Sequence, residues 1–254
     1  MTLEIHRQRG HTPMRVVAHM GNPIAYADDG LHLDGLLHSA ARHDLDERTR
    51  RTIEPIETAE WPTDFGLPLS TWSAPTAPDV DDRLCKSHKQ LVKGAGGRGR
   101  DERRLWGWCA SDVASEWLGR SVMEVRKKPA LGEMVRYARD KTVTIGAGPL
   151  KAHDLRLPTV TALEVVWFAL GDIERVRHLL VEHVHSIGRK RNIGGGKVLR
   201  WTVEACDEDR STVADGRPMR RLPAGAADGA PGQGAIRPPY WHHTRTVPSV
   251  EPCR

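Results

Sequence analysis

The sequence predicts an α+β fold. The first observation is a strand–helix–strand unit in the last third of the ordered pattern, residues 159–205. The second is a strand followed by a helix near the N-terminus. The third is composition: 39% hydrophobic residues over 254 positions suffice for one large or two small cores while leaving part of the chain unpacked.

The elements follow in order. Met14–Met20, "MRVVAHM", is valine-rich and ends at Gly21-Asn22-Pro23, which predicts a strand stopped by a turn. In "LHLDGLLHSAARHDLD", Asp34 is placed to cap a helix whose apolar side is Leu36, Leu37, Ala40 and Ala41. Residues 46–66 are charged, proline-bearing and irregular. Phe65–Trp72, "FGLPLSTW", reads as a strand, and Pro68 puts it at an edge or a start. Residues 74–104 break the pattern and read as a long inserted loop or hairpin. "LWGWCAS" and "SVMEVRKKP" read as strands with room for a short helix between them. Thr159–Leu170 reads as one strand, stopped at Gly171-Asp172, with Asp172 as N-cap of the next helix. There Ile173, Val176, Leu180 and Val184 recur at three- and four-residue steps and form one apolar stripe, which Gly188 ends. "KVLRWTVEA" alternates as a strand with Leu199, Trp201 and Val203 on one face. From Cys206 the chain is rich in Gly, Ala and Pro and predicts an irregular, largely extended or disordered tail in which "RPPYW" (Arg237–Trp241) could dock back.

Charge narrows the function classes. The net charge is +5, yet residues 186–201 carry Arg189, Lys190, Arg191, Lys197 and Arg200, and residues 86–104 carry seven cations against two acids. Two basic segments on an otherwise acidic chain point to a directed contact with a polyanion. Four scattered cysteines without zinc-finger spacing imply neither a metal site nor a disulfide framework, and fit a reducing, cytoplasmic setting. No signal core begins the sequence, and the longest apolar run is too short to span a bilayer.

Enzyme motifs fail on context. Gly94–Gly99, "GAGGRG", has the dinucleotide spacing, but only "QLV" precedes it and a charged run follows. "NIGGGKV" is not a phosphate loop of the Walker type: Arg191 stands where the first glycine belongs and Val198 where Ser or Thr belongs. The loop also leaves a helix C-terminus, the partially negative end, which its cations offset. His43-Asp44 and His153-Asp154 lack further ligands at suitable spacing, and His178 with Glu182 reads as solvated surface. No cofactor is expected.

The triglycine stretch Gly194, Gly195 and Gly196 can bring main-chain N–H groups close to phosphates, with flanking cations neutralising charge. A glycine-rich basic loop joining a last helix to a last strand resembles the RAMP proteins of CRISPR–Cas systems. "LHLDGLL", "GAGPLKAHDLRLP", "FALGDIERVRHLL", "IGRKRNIGGGKV" and "RPPYW", in that order over residues 14–241, resemble the Cas-five-type RAMP subunit of type IV CRISPR complexes. One departure stands out: Gly195 takes the place of the aromatic usual between the loop glycines, so a stacking contribution from the loop is not implied.

The resemblance implies a modified ferredoxin-like, RRM-related antiparallel sheet backed by helices over residues 1–205, with the Pro/Gly-rich tail over 206–254. It implies a non-catalytic, RNA-binding subunit that caps the 5′ end of the guide RNA beside the helical backbone RAMP subunit and the large subunit. Arg189, Lys190, Arg191, Asn192 and Lys197 are then the expected phosphate contacts, with Gly194, Gly195 and Gly196 giving close approach and Lys151 and His153 as further contacts. Lys89, Lys93, Arg98 and Arg100, in the inserted segment 74–104, are expected on a thumb over the RNA. The alternative is a metal-independent endoribonuclease on the same fold, with His153, His32 or His38 as general acid or base.

Overall fold

The computed structural model describes residues 2–25, 30–53, 59–60, 62, 64–76, 80–86, 104–127, 136, 153–189 and 191–252. The chain opens with β1 (Glu4–His6), β2 (Thr12–Met20) and β3 (Ile24–Ala25), then α1 (Leu33–His43) and α2 (Glu47–Thr52). β4 (Thr71–Pro75), α3 (Asp82–Lys86), β5 (Arg104–Trp108), β6 (Gly119–Lys127), β7 (His153–Thr161) and β8 (Glu164–Gly171) follow. The last part holds α4 (Ile173–His183), β9 (Val198–Ala205), β10 (Val213–Ala214), β11 (Arg217–Pro218), β12 (Leu222–Pro223), β13 (Pro231–Ala235) and β14 (Thr246–Val250). The fold is α+β, its described strand pairs are antiparallel, and helices are few.

β2 is the middle strand of the sheet β8–β2–β9. Its period-2 alternation decides which side chains meet the helices. Met14, Val16 and Ala18 are fully buried with Trp167, Val165 and Ala169 of β8 and Val203 of β9, in one core with Leu33 and Leu37 of α1 and Val176, Leu179 and Leu180 of α4. The indole N–H of Trp167 donates to the Leu31 carbonyl at 2.8 Å, so this buried ring leaves no orphaned donor. Beyond β8 runs segment 110–115, with Ser111 N–H to the Phe168 carbonyl at 2.7 Å and Ala114 N–H to the Val166 carbonyl at 2.9 Å. It is irregular because the hydroxyls of Ser111 and Ser115 accept from Phe168 and Val166 N–H where carbonyls would in a regular ladder.

Several sequence expectations change here. Thr159–Leu170 is a hairpin, not one strand: β7 ends at Thr161 and β8 starts at Glu164. The strand expected at Phe65–Trp72 starts at Thr71; Leu69 only bridges Gly171. No helix separates β5 from β6. His32, not Asp34, occupies the N-cap position of α1, and Asp34 lies buried in the first turn. Asp172 caps α4 as expected, accepting from Arg175 N–H at 3.1 Å.

The tail is the largest correction. Residues 206–252 form β10–β11 and the sheet β12–β14–β13, and they bury Arg220, Arg237 and Arg245 almost completely. Arg220 reaches Asp34 at 3.3 Å, and Arg237 and Arg245 reach Asp64 at 3.4 and 2.9 Å. Arg237 also lies 4.3 Å over the Trp106 ring. A Gly/Pro-rich composition reads as unpacked, but here Leu222, Ile236, Val247 and Val250 of the tail are buried in one core with Trp72, Leu84 and Leu105, and the charge pairs lie inside it. Among the described residues no helix is long and apolar enough to cross a membrane.

Candidate nucleic-acid interface

The glycine-rich loop is a fixed structure. Ile187 N–H donates to the Gly196 carbonyl at 2.8 Å and Val198 N–H to that of His185 at 3.0 Å, closing the loop at its neck. Gly196 N–H reaches the Pro23 carbonyl at 2.9 Å, and Arg189 N–H reaches that of Ala25 at 2.8 Å. Asn22 holds the tip: its Oδ1 accepts from Lys197 N–H at 2.7 Å and its Nδ2 donates to the Gly194 carbonyl. Asn22 was legible from sequence only as part of a strand-ending turn; nothing there linked it to a loop 172 residues away.

Glycine is required at two of these positions. Gly196 has φ +64° and a Cβ there would stand 1.8 Å from the Ile187 carbonyl oxygen. Gly188, at φ +88°, would place a Cβ 2.5 Å from the Ala25 carbonyl oxygen. The N–H groups of Gly194 and Gly196 are spent inside the protein, on Arg191 and Pro23; among the described residues only the Gly195 N–H of the three lacks a partner. The expected three-glycine main-chain cradle thus shrinks, because the glycines serve the loop's own geometry first.

The side chains remain available. Arg189, Arg191, Asn192 and Lys197 are exposed on this one loop, and among the described residues none of the three cations has an acidic partner. The cluster is therefore an uncompensated positive surface held on a rigid frame. Ile193 beside it is 45% exposed. Lys190 and Lys151 lie outside the described residues. So do Lys89, Lys93, Arg98 and Arg100, the expected thumb cations. His153 opens β7, but its side chain is likewise outside what is described.

The loop continues into a second element. Ala25, which accepts from Arg189, belongs to β3, which pairs with β7 at Thr159 and Val160. β7 pairs with β6 along nine residue pairs from Gly119–Thr161 to Lys127–His153. β6 and the β7 residues toward its start are exposed or half-exposed on both faces. This long antiparallel arm follows segment 110–118 rather than lying within residues 74–104. One face carries Met123, Val125, Leu155 and Leu157; the other carries Glu124, Arg126, Asp154 and Arg156 in ion pairs of 2.9–3.5 Å. At the arm's base Arg120 is exposed and, among the described residues, unpaired.

The histidines named for acid–base chemistry are placed differently. His32 is 9% exposed, pairs with the Asp112 carboxylate and stacks on Tyr240 with ring centroids 3.6 Å apart. His38 is 5% exposed and packs beside Phe65 at 4.9 Å. Burial works to raise the Asp112 pKa, but the His32 partner holds it below the ordinary carboxylate value.

The family model of CRISPR type IV associated protein Csf3 matches residues 100–252, more than half of the chain. The match takes in the arm, β8, α4, the basic loop, β9 and the tail. No curated protein matches the chain.

Proposed function

The chain belongs to the Csf3 family of CRISPR type IV associated proteins, and from that premise we propose that it is a non-catalytic RNA-binding subunit of a type IV CRISPR complex. In this reading it caps the 5′ end of the guide RNA and sits beside the helical backbone subunit and the large subunit. Guide strand phosphates lie along Arg189, Lys190, Arg191, Asn192 and Lys197, with the Gly194–Gly196 backbone behind them.

The observation that carries the reading is the set of exposed, acid-free cations on a loop tied to β3 by the Arg189–Ala25 bond and to the β2 turn by Asn22. A rigid frame matters because ordering a flexible cationic loop on binding would subtract from the gain at each phosphate. The strand order supports a modified ferredoxin-like domain: β9–β2–β8 followed by segment 110–115, with α1 and α4 in the same core. Chain order strand–helix–strand–strand–helix–strand fits that plan. The burial of His32 and His38 withdraws both rings from a strand lying on the surface, which supports the structural role.

The test is filter binding of single-stranded RNA over a salt series with the Arg189→Ala/Arg191→Ala/Lys197→Ala variant. Each lost phosphate contact should flatten the slope of log affinity against log salt by about 0.7 for a single strand, so about 2 for the triple variant. An unchanged slope refutes the assignment.

A further inference from the structure

A cleft of about 770 Å³ opens between segment 111–117, the Gly30-Leu31 turn before α1 and the base of the β6–β7 arm. Its size falls within the roughly 300–1,000 Å³ of small-ligand sites. Its walls are apolar: Leu31, Val113, Trp117, Val160 and Met219. Its polar side chains are few. Asp112 and Glu116 contribute carboxylates, and Ser121 and Thr159 contribute a mutually bonded hydroxyl pair at 2.7 Å. Among the described residues the N–H groups of Val113, Ser115 and Glu116 have no acceptor, so the wall also offers unused backbone groups. Arg120 also lines it and, among the described residues, has no acidic partner.

Carboxylates in an apolar slot repel phosphate and select donors. A flat aromatic ring with amino and imino N–H on one edge matches both the walls and the acceptors. Guanine presents such an edge, and Arg120 would meet the adjoining phosphate. The cleft also lies beside the cationic loop's frame: Thr159 and Val160 line it and pair with Ala25 and Ile24 of β3, which binds the loop through Arg189.

Resting on the RNA-binding reading above, we propose that this cleft takes one unstacked guanine of the bound RNA, its Watson–Crick edge donating to Glu116 and Asp112 and its ring against Trp117. Asp112 is positioned for this by His32, which pairs with one carboxylate oxygen and leaves the other, Oδ2, without a hydrogen-bond partner among the described residues.

The experiment measures anisotropy of the full-length protein with labelled oligouridines of equal length. One is uniform, one carries a single guanosine scanned along the strand, and one carries inosine, which lacks the 2-amino group, at the best position. A guanosine at one register should bind about tenfold tighter than uridine, within the range for a bidentate contact, and inosine should forfeit most of that gain. Glu116→Gln, at an exposed position, should reduce the gain to within about twofold while leaving oligouridine binding intact. RNA binding that is equal for every oligonucleotide overturns the guanine cleft and leaves the RNA-binding reading standing. Absence of RNA binding throughout overturns that reading itself. A guanosine preference that Glu116→Gln does not change places the base elsewhere and also overturns the proposal.

Discussion

Replacing Arg220 by Met tests how the tail is fastened. The Arg220 guanidinium donates to Asp34 Oδ2 at 3.3 Å, to the carbonyls of Trp108, Ala110 (2.9 Å) and Ile236 (2.6 Å), and to the Tyr240 hydroxyl at 2.9 Å. Its side chain is 2% exposed and that of Asp34 is 1% exposed. Methionine fills much of the volume but supplies no donor. Among the described residues Asp34 then keeps the Tyr240 hydroxyl, at 2.7 and 2.8 Å, and the Gly35 N–H at 3.0 Å. Leaving one buried charge without its partner costs about 3–5 kcal/mol; the Trp108 carbonyl keeps the Ala110 N–H at 2.9 Å, while the Ala110 and Ile236 carbonyls, which lose a donor, add up to about 1–3 kcal/mol each before relaxation. A loss on the order of 5 kcal/mol is therefore expected, a large part of the roughly 5–15 kcal/mol that stabilises a domain. Urea unfolding followed by the fluorescence of the eight tryptophans reads it directly. Adding Asp34→Asn in the Arg220→Met background should recover part of the loss, since it removes the stranded anion. A single-variant loss under about 1 kcal/mol, or a double variant no better than the single, would refute this account.

Four further outcomes follow from the same geometry. Gly196→Ala should destabilise the protein well beyond Gly194→Ala in thermal melts: the first drives a Cβ to 1.8 Å from a carbonyl oxygen, whereas the second meets open space and carries only the strain of φ +90°, about 1 kcal/mol. Asn22→Ala should speed hydrogen exchange of the Lys197 amide and weaken RNA binding without changing the fold, and an unchanged exchange rate would remove Asn22 from the loop's frame. Desolvation lowers the pKa of His11, against a raising effect from Asp172, so the folded state holds this proton less readily than the unfolded chain. Its stabilising share is complete above the unfolded value of about 6.5 and is lost as pH falls through the folded value; His11→Gln should flatten the melting temperature over that acid range. Burial pushes the Tyr240 phenol well above its ordinary value, against the pull of Arg220, so stability should fall as pH rises past about 10, and Tyr240→Phe should lessen that fall.

The local elements were legible because their signals are local. β2 is valine-rich and stops at Gly21-Asn22-Pro23, Asp172 stands one residue before an apolar stripe, and the cations of Arg189–Lys197 fall within nine consecutive residues. The turn at Ala162–Leu163 was missed because apolar residues continue across it, so periodicity alone ran β7 into β8. Asp34 was misplaced for a similar reason: a carboxylate near a helix start serves equally as a cap or as a buried partner, and its partner lies 186 residues away.

By itself the sequence determined the α+β class, the helix stripes, the concentration of positive charge on one loop and a family resemblance that the Csf3 match shares. Only the tertiary structure decided that the glycines spend their N–H groups within the loop, that Asn22 clamps it, and that the Gly/Pro-rich tail is locked in place by buried arginines. Composition reports how much apolar surface a segment can bury. It does not report which distant carboxylate will meet a guanidinium in a low-dielectric interior, nor that Leu222, Ile236, Val247 and Val250 share a core with Trp72 and Leu105, and both together hold the tail.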